Sequence, residues 1–230
     1  MVIGVLLAAG VFGVIALTLL LIFRKDLVGV DASARSLLRL YLYLASLAAV
    51  LVFAIGVGAI LDWGMSSVFG VDAIYGRAPL IAPSGDPYAP TYAQWLHESQ
   101  LRQQSDLLRG ITLMVFGLLF WGGHRFARGR RALLGGEEES TSVLRRAYNL
   151  LGTFVFGLGT VVLLPVGVYQ MLSVALLTAS ADVFRQGFGD SLAGGLMSIP
   201  IWLTYLLRVV RAVPASLPTI RPSAAQPSPA

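Results

Sequence analysis

The chain contains no cysteine, which excludes disulfides, thiolate metal sites and cysteine nucleophiles. It has only two histidines, His97 and His124, too few to expect a bis-histidine haem or a histidine-rich metal site. Charge is also scarce. Asp, Glu, Lys and Arg make up 13% of the 230 residues, against roughly 25% in an ordinary soluble domain. With 56% of residues hydrophobic, the charge cannot cover a water-facing surface of this size, and one compact membrane bundle is expected. Reaction motifs are missing too. His97-Glu98 does not open a zinc-protease helix, because Leu101 stands where the second histidine would be. No glycine-rich phosphate loop is present, and Asp72, Ser84, Asp86, His97 and Glu98 have no spacing that commits to a reaction. No catalytic residue, cofactor or metal is expected.

Long apolar runs are what the chain does have. Crossing about 30 Å of hydrocarbon takes roughly 20 residues at 1.5 Å rise. Five stretches meet or approach that length: Val2 to Phe23, Leu40 to Leu61, Ile111 to Gly123, Leu150 to Leu177 and Leu192 to Leu207. The first has no basic residue ahead of it and ends on Leu21-Ile22-Phe23, a poor cleavage context. It reads as a retained anchor helix and not a signal peptide. The expected fold class is all-α, a polytopic membrane helix bundle with five transmembrane helices.

The basic residues orient the bundle. Segments 24–39, 124–146 and 208–230 carry thirteen of the seventeen basic residues. Segments 62–109 and 178–191 carry the other four, together with seven acids. This alternation at every crossing supports five spans and places the arginine-rich side in the cytoplasm. The amino terminus is then outside and the carboxyl terminus inside, in a bacterial-type plasma membrane. The formal charge of +5 is accounted for by the membrane surface, so no nucleic acid partner is expected, whereas anionic lipids on the cytoplasmic side are.

Residues 1–32 form the anchor and a basic loop; 33–131 a first helical hairpin with a long outer loop, 62–109; 132–212 a second hairpin; and 213–230 a Pro/Ser/Ala-rich tail expected to be disordered. Within the outer loop, Thr91 to Leu108 lacks Gly and Pro and reads as a helix leading into the third span. The hairpins repeat a pattern. Ser36-Leu37-Leu38-Arg39-Leu40-Tyr41 starts the second span, and Ser142-Val143-Leu144-Arg145-Arg146 with Tyr148 starts the fourth. Trp121-Gly122-Gly123-His124 closes the third, and Trp202-Leu203-Thr204-Tyr205 closes the fifth. The ring three residues after each Trp lands on the same helical face. The reading is two parallel hairpin repeats about an axis along the membrane normal. On these residues, over about 33–210, the chain resembles a family of uncharacterised bacterial multi-pass membrane proteins with Arg/Tyr helix starts and Trp-x-x-His helix ends. Tyr205 departs from that pattern. The resemblance implies a four-helix repeat core and no activity.

The candidate residues for a lipid-headgroup interface are Arg39, Tyr41, Trp121, His124, Arg125, Arg128, Arg130, Arg131, Arg145, Arg146 and Trp202. Arginine offers a planar fork to phosphate and aromatic rings favour the headgroup level. The same residues also read as plain topology anchors, and for Trp121 and His124 the substitution by Tyr205 favours that reading. The third span and most of the others lack ionisable residues, the usual mark of proton and ion pathways. Small residues are abundant at small-xxx-small spacing and allow close helix approach. Three functions follow in order of support. The first is a structural or accessory protein that packs with a membrane-protein partner or a second copy. The second is a small-molecule or lipid transporter or channel, using the repeat and Pro165 and Pro200. The third is an enzyme or sensor using the outer loop.

Overall fold

The computed structural model describes residues 34–76, 91–135, 143–176 and 186–212. Among these, every regular element is an α-helix: α1 (Ala34–Phe69), α2 (Val71–Tyr75), α3 (Tyr92–Gly135), α4 (Val143–Leu176) and α5 (Gly189–Ala212). Four of them, α1, α3, α4 and α5, are long and apolar enough to cross a membrane. They cover the expected second, third and fifth spans and the fourth as far as Leu176. The anchor stretch 2–23, residues 136–142, Ser84 and Asp86 of the outer loop and the tail 213–230 lie outside the described residues.

The helices begin and end where local chemistry directs. Thr91 and Gln94 form a reciprocal cap at the start of α3. The Gln94 amide donates to Thr91 Oγ1 at 3.3 Å, and the Thr91 amide donates to Gln94 Oε1 at 2.9 Å. At the other end of α1, the helix does not stop at Asp62-Trp63 but continues to Phe69. The hydroxyls of Ser66 and Ser67 donate back to the Trp63 carbonyl at 2.7 and 3.1 Å, so polar residues past the apolar run find partners within the helix. Gly70, at φ 90°, then turns the chain into α2, a conformation that other residues rarely adopt.

Two antiparallel hairpins form the body, α1 with α3 and α4 with α5. Glycine lets each close tightly. In the first, a side chain at Gly117 would collide with the Phe53 backbone; in the second, one at Gly195 would collide with that of Leu164. The core is built on the contact between hairpins, from Tyr43, Leu47 and Ala54 of α1, Tyr148, Leu151, Val155 and Phe156 of α4, and Met197 and Tyr205 of α5. No residue of α3 belongs to it. Of the stretch of α3 able to cross a membrane, 11% is buried, against 39%, 39% and 33% for α1, α4 and α5. At the opposite end from Tyr43, α2 sits against the start of α5. Ile74 packs with Phe188 and Leu192, and the Phe188 amide donates to the Ala73 carbonyl at 3.1 Å. Helices α4 and α5 continue through Pro165 and Pro200.

Candidate functional site

Polar and charged side chains gather at the two ends of the bundle. The arginine-rich end comprises the start of α1, the end of α3, the start of α4 and the end of α5. Arg128 of α3 is its centre. Its guanidinium carbon lies 4.8 Å from the Tyr43 ring centre and 5.2 Å from that of Tyr148, while Nη2 donates to Ser46 Oγ at 2.9 Å. The two tyrosine rings are themselves 5.2 Å apart. One arginine thus touches α1 and α4 together, held by cation–π attraction on two rings. Its Nε is buried and has no hydrogen-bond partner among the described residues.

Behind Tyr148 the aromatic layer continues into α5. The Tyr148 and Tyr205 hydroxyls share a buried hydrogen bond of 2.6 Å, and Arg208 lies 5.7 Å over the Tyr205 ring. In front of Arg128 is a cavity of about 440 Å³ lined by Tyr43, Arg125, Arg128, Gly129, Arg145, Tyr148, Asn149 and Arg208. Four arginines from three helices therefore face one space, and among the described residues no carboxylate lines it.

Of the sequence candidates, Arg125, Arg128 and Arg145 meet at this cavity. Arg125 also lies 5.6 Å over Trp121. His124 stands against Tyr41, with ring centres 5.9 Å apart, and its Nδ1 is 2.7 Å from the Phe120 carbonyl. Arg130 lies over Phe126 at 5.3 Å. Neither Arg130 nor Arg39 or Arg146 lines the cavity, and the Arg131 side chain falls outside the described residues. Trp202 sits inside the second hairpin, where its indole covers Gly157, and Tyr205 covers Gly152. Tyr43, Ser46, Tyr148, Asn149 and Arg208 are site residues that stand outside that candidate set. Ser46 carried a faint signal: it stands one turn beyond Tyr43, in an otherwise apolar run.

The acidic end was not foreseen as a cluster. Asp106 of α3 accepts from the Tyr75 hydroxyl at 2.8 Å and from Arg109 Nη2 at 2.6 Å. Burial pushes the Tyr75 hydroxyl above its ordinary pKa, and the hydrogen bond to Asp106 adds to that, so it remains a donor. Gln103 Nε2 donates to Ser66 Oγ at 2.9 Å. Asp62 is 5% exposed, and its Oδ1 has no hydrogen-bond partner among the described residues. A second cavity, of about 400 Å³, is lined by Tyr75, Arg102, Asp106, Arg109, Asp190 and neighbours. His97 and Glu98 are exposed on α3 and do not line it. Among the described residues no group of His, Cys, Asp or Glu is arranged to hold a metal ion.

No protein-family model, no characterised protein and no solved structure matches the chain.

Proposed function

We propose that this chain is an accessory membrane protein that acts by packing against another membrane protein, through the face of α3 turned away from α1. With the arginine-rich end in the cytoplasm, α1, α3, α4 and α5 form two hairpin repeats, to which residues 2–23 add an anchor. The observation that carries this reading is the bareness of α3. Leu108, Val115, Leu119 and Phe126 are all exposed. They recur at four- and seven-residue steps on the side opposite Gly110 and Gly117, which face α1. Gly122 shares that outward side, and a side chain added there would meet nothing within 4 Å. A glycine inside a helix costs about 0.5–1 kcal/mol relative to alanine. Nothing in the described chain uses Gly122, whereas a helix arriving from outside could approach closely over it.

The other two readings have less support. The cavities at the two ends are lined by neither Pro165, Pro200 nor Gln170, and the space between the hairpins is filled by the apolar core. His97 and Glu98 stand apart from the acidic-end cavity, which removes the main support for an outer-loop enzyme.

A photo-crosslinking residue at Leu119, introduced in cells, tests the reading. It should give one discrete adduct larger than the chain, and Gly122→Leu should abolish that adduct without lowering the thermal midpoint of the purified protein. An adduct of twice the chain's mass would make the partner a second copy. Labelling of lipid alone, or an internal link to residues 2–23, would refute the interaction reading.

A further inference from the structure

We propose that the cavity at the arginine-rich end is a binding site for a phosphate group. This goes beyond the packing role assigned to α3 and does not depend on it.

The site is built in advance of any ligand. Arg128 is fixed by two rings and a serine hydroxyl, so its guanidinium keeps one orientation. Tyr148 is fixed in turn by Tyr205. A planar guanidinium presents paired N–H groups that match the oxygens of a phosphate. Arg125, Arg145 and Arg208 converge on the same space from α3, α4 and α5. Arg125, Arg128, Arg145 and Arg208 bring guanidinium donors from three helices to one space, and an anion with several acceptor oxygens can meet several of them at once. A single carboxylate has two oxygens and one charge. Phosphate has more of both, which suits a ring of four donors.

Position gives the ligand two sources. The cavity lies where the apolar parts of four helices end, at the level a phospholipid headgroup occupies. It is also open enough at about 440 Å³ to admit a soluble phosphate compound. The shared chemistry is the phosphate, and the experiment separates the two sources.

Binding would be followed with the full-length protein in mild detergent after lipid removal, as the shift of thermal midpoint on adding phosphatidylglycerol, phosphatidylcholine or inorganic phosphate. Arg145→Gln and Arg208→Gln change exposed lining residues. Arg130→Gln and Arg146→Gln change exposed arginines at the same end that do not line the cavity. Each lining substitution should weaken the apparent affinity about tenfold, the effect of losing one charge-assisted hydrogen bond. Each control should change it less than about twofold, as expected for a screened surface charge. A shift with phosphatidylglycerol alone assigns the site to a headgroup, and a shift with inorganic phosphate that also blocks the lipid response assigns it to a soluble phosphate. Equal losses in all four variants would mean diffuse attraction to a basic surface and would overturn the site. So would the absence of a shift with both phosphatidylglycerol and inorganic phosphate. The unliganded midpoint of each variant, measured alongside, separates lost binding from lost folding.

Discussion

Gly117 and Gly123 of α3 provide a matched test of how the first hairpin is held together. Alanine at Gly117 would place its methyl carbon 2.6 Å from Phe53 Cα, well inside the ~3.5–4.0 Å of normal carbon contact. The obstacle is backbone, which cannot swing aside as a flexible side chain would. Overpacking of this kind costs about 1–3 kcal/mol, offset by the ~0.5–1 kcal/mol that alanine gains over glycine in a helix. Gly117→Ala should therefore destabilise by about 1–2 kcal/mol. At Gly123 the same methyl meets nothing within 4 Å, so only the helix gain remains and Gly123→Ala should stabilise by about 0.5–1 kcal/mol. The gap between the variants, about 2 kcal/mol, is roughly a thirtyfold difference in unfolding equilibrium. Reversible unfolding in mixed micelles, followed by far-ultraviolet circular dichroism against denaturing detergent, resolves such a gap. Equal midpoints for the two variants would refute the close helix crossing at Phe53.

Other substitutions probe the two ends. Tyr148→Phe and Tyr205→Phe should each cost about 1 kcal/mol by breaking the buried hydroxyl pair. The double variant should cost less than the sum of the two, which a thermal double-mutant cycle would read as coupling. Asp62→Asn should raise the thermal midpoint at neutral pH. The change removes a buried carboxyl whose Oδ1 lacks a partner among the described residues and which lies near Asp190 and Asp106; a lower midpoint would mean that the Asp62 carboxylate is itself required there. Tyr75→Phe should destabilise by about 1–2 kcal/mol, because Asp106 loses the hydrogen bond from Tyr75 and retains that from Arg109. A midpoint unchanged in Tyr75→Phe would show that Ile74 and the Phe188–Ala73 hydrogen bond hold α2 without the Tyr75 hydroxyl.

Much of the helical order could be read from the chain because it depends on local composition. The apolar runs from Leu40, Ile111, Leu150 and Leu192 give α1, α3, α4 and α5, and the Gly- and Pro-free run after Thr91 gives the extension of α3. The far end of α1 was harder to read. Ser66 and Ser67 look like loop residues until their hydroxyls are seen bonded to the Trp63 carbonyl. At the arginine-rich end, charge count picked out Arg125, Arg128 and Arg145 but could not separate them from Arg130 and Arg146. All five have the same chemistry, and only the antiparallel register brings three of them to Tyr43 and Tyr148. The acidic cluster is the extreme case. Asp62, Tyr75, Asp106 and Asp190 are far apart in sequence, belong to four different helices and carry no shared motif.

The two hairpins are local in sequence: α3 lies along α1, and α4 along α5, with residues 136–142 between them. Nothing in either hairpin's glycine-mediated crossing needs the other to be present. The chain is in this sense severable. Residues 1–139 and 140–230, made as separate polypeptides, should each insert and then find one another through the apolar face of α1 against α4 and α5, with Arg128 as the rivet across the join.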